Sequence, residues 1–225
     1  MLQVCHSHLA QVQQPAFEPR KTPIQARSTV TAEAIAEATG QVLLSHGSER
    51  LTTTKVAERA GVSVGTLYQY FPNKRSLLFA VLEDHLDKVS TAVESACARS
   101  RHLSLAAMVQ AVVEAFVDAK MLRPDVSTAL YRIAGYIGGP ALVQRTAERS
   151  RKALVVVPQA APDVVVLQQD FAIQMMFAAM AGATRSVLEA GAAPAIARKL
   201  RDHLVVLCQS YMMAIARPPP LGKLD

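Results

Sequence analysis

The fold of this chain is decided by residues 51–74, which read LTTTKVAERAGVSVGTLYQYFPNK. Gly61 separates two short segments, and glycine readily adopts the positive φ that a tight turn between helices commonly needs. Ser63 can cap the second segment, and Pro72 prevents that segment from continuing as a helix. Both segments share apolar positions that can form a small core: Val56, Ala57, Val62, Leu67 and Phe71. The pattern predicts a helix-turn-helix, whose second helix can lie in the major groove of DNA.

The outer face of the second segment carries side chains that suit DNA. A glutamine can pair with adenine N6 and N7, and Thr or Val can pack on a thymine methyl group. Tyr and Thr hydroxyls can donate to phosphate oxygens, and Lys74 begins the next helix, where an anion is favoured. The alternative is a solvated helix surface, with Tyr68 as an aromatic at the edge of the core. The predicted contact residues of this segment are Val64, Gly65, Thr66, Tyr68, Gln69 and Tyr70.

Helical periodicity continues on both sides of this stretch, so we expect an all-α fold. Residues 105–117 repeat apolar side chains at i, i+3, i+4 and i+7, which is typical of an amphipathic helix. No segment alternates as a sheet strand would, although the valines around 155 and 165 have β propensity. Besides the helix-turn-helix, the predicted helices cover residues 29–47, 74–99, 105–117, 125–136, 140–157, 163–189 and 194–217.

The chain divides into four predicted segments. Residues 1–28 contain three prolines and the basic residues Arg20, Lys21 and Arg27, which indicates a flexible basic arm. Residues 29–73 form the DNA-binding domain and 74–217 a helical domain, and 218–225 are a flexible tail.

Composition narrows the function. The 24 Lys and Arg residues exceed the 18 Asp and Glu residues, which gives a formal charge of +6. This positive charge suits binding to a polyanion such as DNA, and the alternative is that it only makes the protein surface basic and soluble. The three cysteines lie far apart in the sequence, and neither they nor the histidines have the spacing of metal ligands. We therefore expect that the protein binds no metal and no cofactor, and that its thiols are reduced in the cytoplasm. No nucleophile elbow, phosphate-binding loop or catalytic carboxylate pair is visible, which argues against an enzyme. The apolar stretch 171–183 is interrupted by Gln174 and is too short to span a bilayer, so no membrane partner is expected.

The sequence resembles the tetracycline-repressor (TetR) family over residues 27–85. The resemblance lies in ARSTVTAEAIAEATGQVLLSHG, AERAGVSVGTLYQYFPNK and KRSLLFAVLEDH. It implies that Thr53 and Thr54 on the second helix touch DNA, that residues 64–70 form the recognition helix and that Lys74 binds phosphate. It also implies that the C-terminal helices hold a small ligand and dimerise.

The resemblance favours a repressor that a small-molecule effector releases from a palindromic operator. The alternative is an architectural DNA-binding protein without an effector. The effector is unknown, and its candidate contacts, each of which is otherwise plain core, are Met108, Phe116, Tyr131, Tyr136 and Met175.

The last two helices are the predicted seam of a homodimer. Each is apolar over so wide an arc that it must be covered on more than one side. The stripe on 163–189 is Leu167, Phe171, Met175 and Ala178, and the stripe on 194–217 is Ile196, Leu200, Leu204, Leu207 and Tyr211.

Overall fold

The structure, a computed structural model, describes residues 26–191 and 194–219. These residues are almost entirely helical, which confirms the predicted all-α class. The proposed arm up to residue 25, and the tail from residue 220, lie outside the described residues. In chain order the elements are α1 (Ala26–Arg50), α2 (Thr53–Ala60), α3 (Val64–Tyr70), α4 (Lys74–Arg99), α5 (Leu105–Met121), α6 (Pro124–Ile133), α7 (Gly139–Leu154), α8 (Val156–Ala160), β1 (Val165–Val166), α9 (Gln169–Glu189), α10 (Pro194–Ala214) and β2 (Ala216–Arg217).

Short polar residues start the helices of the N-terminal unit. The Thr52 side chain accepts from the backbone N–H of Lys55 at 3.3 Å and so caps α2. Ser63 caps α3, and Asn73 forms a reciprocal capping box with Ser76 at the start of α4. These caps satisfy backbone donors that would otherwise lack partners, which is why the boundaries follow the local sequence.

Two apolar cores lie along α4. The first core joins α1, α2 and α3 to the N-terminal half of α4 and to α6. The second core joins the C-terminal half of α4 to α5, α9 and α10. Cys97 and Cys208 are buried in the second core as small apolar residues, and burial raises the pKa of each thiol to about 11. Because α4 enters both cores, it connects the helix-turn-helix to the C-terminal helices.

Several predicted helix boundaries are wrong, and the helix predicted over 125–136 already ends at Ile133. Helix α7 ends at Leu154, and Pro158 lies inside the short α8, where a proline near the helix start loses no internal hydrogen bond. Residues 163–168 are not helical, because β1 pairs with β2 in antiparallel register, Val165 opposite Arg217. The predicted helices 140–157, 163–189 and 194–217 were therefore too long.

Helix α1 begins at Ala26, three residues before the predicted start, and Gly47 interrupts it with φ 76° and ψ 166°. Helix α9 has 21 residues and by length and composition alone is apolar enough to cross a membrane. The expectation that the chain has no segment long enough to span a bilayer is therefore not supported by the length of α9. Ile173, Met176 and Met180 of α9 nevertheless pack in the second core, so packing accounts for part of its apolar character.

Candidate nucleic-acid interface

Helices α2 and α3 form the predicted helix-turn-helix. Gly61 ends α2 in the left-handed region, with φ 68° and ψ 28°, and its N–H bonds back to the carbonyl of Glu58 at 3.2 Å. Ser63 then starts α3 by accepting from the N–H of Thr66 at 2.9 Å. Leu67 is fully buried on the inner side of α3, so the opposite side of this seven-residue helix faces outward.

The outward side holds most of the predicted DNA contacts. Val64, Gly65, Tyr68 and Gln69 are exposed on α3, and Thr54 is exposed on α2. Thr66 is half-buried, and its hydroxyl lies 2.8 Å from that of Ser63. Near the other end of α3 the Tyr68 hydroxyl lies 3.1 Å from the Thr53 hydroxyl, so the first residue of α2 positions the phenol.

Tyr70 does not belong to this surface. It is half-buried and packs against the first core, and Ser28 of α1 donates to its phenolic oxygen at 3.2 Å. Its position three residues after buried Leu67 places it on the inner side of α3. The prediction that Tyr70 lies on the exposed face was therefore wrong.

The start of α4 supplies positive charge beside α3. Lys74 is half-buried, and its ammonium donates to the Glu49 carbonyl at 3.3 Å, so it also holds the end of α1. Arg75 is exposed at the next position of the same helix start. Arg75 was not among the predicted contacts, although the sequence shows two basic residues directly after the helix cap Asn73.

Two family models match the chain. Residues 35–81 match the model for bacterial regulatory proteins of the tetR family. Residues 104–212 match the tetracycline repressor-like C-terminal domain. The chain belongs to the TetR family of DNA-binding transcriptional regulators.

Individual curated relatives match only part of the chain. The nucleoid occlusion factor SlmA of Glaesserella parasuis is 26% identical over 117 residues, which are 52% of this chain and 55% of the relative. The transcriptional activator FasR of Mycolicibacterium smegmatis is 35% identical over 81 residues, 36% of each chain. The chain thus spans about half the length of these curated relatives or less.

The similarity in fold extends further than the similarity in sequence. A crystal structure of a TetR transcription regulator from Haloarcula marismortui superimposes with a TM-score of 0.69 at 18% identity. The superposition covers 84% of this chain and all (100%) of that one. It places the C-terminal helices, as well as the helix-turn-helix, in the TetR-family fold.

The five candidate effector contacts are not brought together. Met108 and Phe116 are buried in the second core, and Phe116 packs edge-on against Phe177 at a ring distance of 6.0 Å. Tyr136 and Met175 are exposed, at 69% and 44% of their surface. Tyr131 is half-buried beneath the Lys120 ammonium, 5.2 Å from its ring centre. The structure thus gives these residues no common pocket.

A cavity of about 790 Å³ lies elsewhere, between α1, the end of α3 and helices α4, α5 and α6. Helix α1 forms one wall with Ala32 and Ala36, and α4 forms the other with Ala80 and Val81. The turn between α5 and α6 completes it. None of the five predicted contacts lines this cavity, and no local sequence pattern pointed to it.

A group of buried polar residues adjoins the cavity. The Ser127 hydroxyl donates to the Lys120 carbonyl at 2.9 Å and accepts from Nε2 of His85 at 3.1 Å, because its one proton is already used. Burial, with the positive charges of Lys120 and Lys88, lowers the pKa of His85 to about 3. Burial also lowers the pKa of Lys120 to about 8. Near neutral pH the histidine is therefore uncharged and the lysine is mainly an ammonium.

Proposed function

We propose that this protein is a homodimeric transcriptional repressor that binds a palindromic operator and leaves it when a small-molecule effector binds. In this proposal it acts in the cytoplasm and catalyses no reaction. The observation that carries the proposal is the outward surface of α3, with Gln69 and Tyr68 exposed at the end of a short, well-capped helix.

The chemistry of that surface divides into two roles. Gln69 presents an amide that can read adenine, and Val64 can pack on a thymine methyl group. Tyr68, Thr53 and the basic residues at the start of α4 suit phosphate oxygens, which fix the position of the helix without reading sequence. No Lys or Arg occurs within α3 itself, so guanine readout by α3 is not expected.

Dimerisation is supported by the outer faces of α9 and α10. Among the described residues, over half of the exposed large apolar side chains lie on these two helices or directly before α9: Val165, Leu167, Phe171, Met175, Ile196, Val206, Leu207 and Met213. The inner faces of the same helices are already buried in the second core. An apolar face of this extent on a soluble chain is best covered by a second copy, as a two-fold interface of at least about 1,000 Å².

The outer face of α10 differs in detail from the predicted stripe. Leu204 is buried in the second core, in line with Cys208 and Met212, whereas Leu207 is exposed. Val206, absent from the sequence-based stripe, is exposed over 62% of its surface. The proposed seam therefore runs along Ile196, Val206, Leu207 and Met213.

The test of the proposed function is selection of DNA sites from a random library by the full-length protein, followed by footprinting. We expect an inverted repeat whose half-site centres lie roughly 34 Å apart, or a multiple of that spacing. A selected site without two-fold symmetry, or no enrichment at all, would overturn the proposal.

An architectural DNA-binding protein is the second candidate, because the matched relatives include nucleoid occlusion factors. Chromatin immunoprecipitation followed by sequencing separates the two functions. A repressor occupies a few sites at promoters, and its loss raises transcription of the adjacent genes. An architectural protein occupies many dispersed sites without such a change.

A further inference from the structure

The cavity between α1, α4 and the α5–α6 turn is the feature that the DNA-binding surface and the dimer seam leave unexplained. We propose that this cavity is the effector site, and that it takes a small organic anion consisting of a carboxylate on an apolar body. The inference rests on the proposed function, since an effector has meaning only for a DNA-binding regulator.

The space itself comes from small side chains on facing helices. Ala32 and Ala36 of α1, Ala80 and Ala92 of α4 and Ala119 of α5 all line the cavity. Larger residues at these positions would bring the walls into contact. Val81, Leu122 and Val126 add apolar surface. The walls therefore favour a ligand whose main body is apolar.

Most charges on the cavity wall compensate each other. The ammonium of Lys88 lies 2.6 Å from the carboxylate of Asp84. The guanidinium of Arg123 lies 3.9 Å from Glu37 and 3.4 Å from Asp125, which does not line the cavity. Glu33 has no ion pair among the described residues, but its side chain is exposed, and water solvates it at little cost. The wall charges thus give a ligand no strong reason to be cationic.

The charge that decides which ligand is preferred is the buried ammonium of Lys120. Lys120 is only 5% exposed, and within the described part of the chain its ammonium has no carboxylate partner. A buried ammonium without a counter-ion is costly, whereas an exposed carboxylate is not. Lys120 itself does not line the cavity, but an anion that reaches its ammonium from the cavity would compensate the buried charge.

Lys120 is held beside the cavity through its backbone. Ala119 and Arg123, on either side of it in sequence, both line the cavity. The Ser127 hydroxyl forms one hydrogen bond with the Lys120 carbonyl and another with His85, and His85 lines the cavity. The lysine stem has four flexible carbon atoms, so the ammonium can turn from the Tyr131 ring toward a carboxylate at the His85 end.

This position couples the ligand to DNA binding. Its walls belong to α1 of the DNA-binding unit and to α4, α5 and α6, and Tyr70 and Phe71, at the end of α3, also line it. A ligand that fits only one arrangement of α1 against α4 and α6 shifts the population toward that arrangement. The two recognition helices of a dimer then move relative to each other.

The experiment is calorimetric titration of the full-length protein with two carboxylates, octanoate and naphthoate, each compared with the amine and the alcohol of the same skeleton. We expect at least one carboxylate to bind roughly tenfold or more tightly than its matched amine and alcohol. Equal binding across a matched set, or no binding of either carboxylate, would overturn the proposal.

Three variants locate the site. Ala36→Phe fills the cavity and should abolish carboxylate binding, whereas Ala141→Phe, on an exposed position of α7, should not. Lys120→Met should weaken carboxylate binding roughly tenfold while leaving the melting temperature unchanged or raised, because it removes a buried charge. Lys88→Met makes the same chemical change at an exposed, paired lysine and should alter affinity less than about twofold. Unchanged carboxylate affinity in both Ala36→Phe and Lys120→Met would place the ligand elsewhere and overturn the proposal.

Failure here and failure of the proposed function are distinguishable. A protein that selects a palindromic site but binds neither carboxylate refutes only the effector site. A protein that selects no DNA site refutes the proposed function, whatever it binds in the cavity.

Discussion

The phenolic oxygen of Tyr68 on α3 lies 3.1 Å from the hydroxyl oxygen of Thr53, the first residue of α2. Either hydroxyl can donate to the other, and the remaining proton of the pair is available to a phosphate oxygen. The contact fixes the phenol at the end of the outward surface, while Tyr68 as a whole stays 42% exposed. The two helices of the motif are thus joined at the surface where the DNA backbone is expected.

The first prediction concerns this pair. Tyr68→Phe keeps the ring and removes the hydroxyl, so we expect binding to operator and to unrelated DNA to weaken by similar factors, roughly three- to tenfold. Fluorescence anisotropy with both DNAs measures this. Tyr70→Phe is the matched control, because its hydroxyl bonds to Ser28 on the inner side of α3. If Tyr70→Phe weakens binding and Tyr68→Phe does not, the assigned orientation of α3 is wrong.

The second prediction concerns sequence preference. Gln69 is exposed on α3 and carries the amide best suited to an adenine. Gln69→Ala should lower discrimination at one base pair in each half-site by about 1–3 kcal/mol and leave binding to unrelated DNA nearly unchanged. Repeating the site selection with this variant measures the effect, with Gln110→Ala on α5 as the control. An unchanged preferred site would assign specificity to other residues or to DNA shape.

The helix-turn-helix was predictable because its signals are local. Ser63 and Asn73 cap helices at the expected positions, and Gly61 takes the left-handed conformation that the turn needs. The inward position of Tyr70 was not predictable in the same way. It depends on the packing of α3 against α1, and its partner Ser28 lies 42 residues away.

In the C-terminal half, too, features that depend on contacts between distant residues were not predictable from the sequence. Residues 163–168 are not helical because Val165 and Val166 among them pair with residues 216 and 217, and such a contact leaves no periodic signal at either end. The cavity is formed by alanines on different helices, each of which reads as an ordinary helix former in the sequence. Helix existence was therefore predictable from periodicity, whereas the spaces between helices were not.

The third prediction concerns the basic residues at the start of α4. Each phosphate contact that is lost should reduce the slope of log affinity against log salt by about one unit. We expect this reduction for Lys74→Ala and for Arg75→Ala, with no change for Lys152→Ala on α7. Lys74→Ala should also lower the free energy of unfolding, because its ammonium holds the Glu49 carbonyl. An unchanged salt slope in both α4 variants would remove this helix start from the interface.

The fourth prediction concerns acid stability. Burial, together with Lys120 and Lys88, lowers the pKa of His85 from 6.5 to about 3, so the folded protein holds this side chain neutral. The unfolded chain gains a proton near pH 6.5, and stability is therefore lost as the pH falls from 6.5 toward 3. At about pH 5 the loss from this residue is roughly 2 kcal/mol.

Urea unfolding near neutral pH and near pH 5 measures this dependence. His85→Gln keeps a donor toward Ser127 but cannot be protonated, so its stability should vary less over this range. His102→Gln, at an exposed position, is the control and should retain the wild-type dependence. Identical pH dependence in His85→Gln and the wild type would show that His85 does not set the acid response.

The last prediction tests the dimer seam. Phe171 on α9 and Val206 on α10 are 56% and 62% exposed in the single chain, and each adjoins a helix face already buried in the second core. A glutamate at either position places a charge in an interface core from which water is excluded, and its desolvation costs more than a surface charge would. Ala181→Glu is a weaker test, because Ala181 packs partly against the second core and its substitution would also disturb the fold.

We therefore expect Phe171→Glu and Val206→Glu to shift the protein from dimer to monomer in analytical ultracentrifugation at low micromolar concentration, with the helical content unchanged. Val30→Glu, at an exposed apolar residue of α1, which packs mainly against α2, α4 and α6, should remain dimeric. The monomers should also bind the palindromic operator much more weakly than the wild type while retaining binding to unrelated DNA, since each keeps its α3 but loses the second half-site. A wild-type monomer, or a dimer that both glutamate variants leave intact, would move the interface away from α9 and α10.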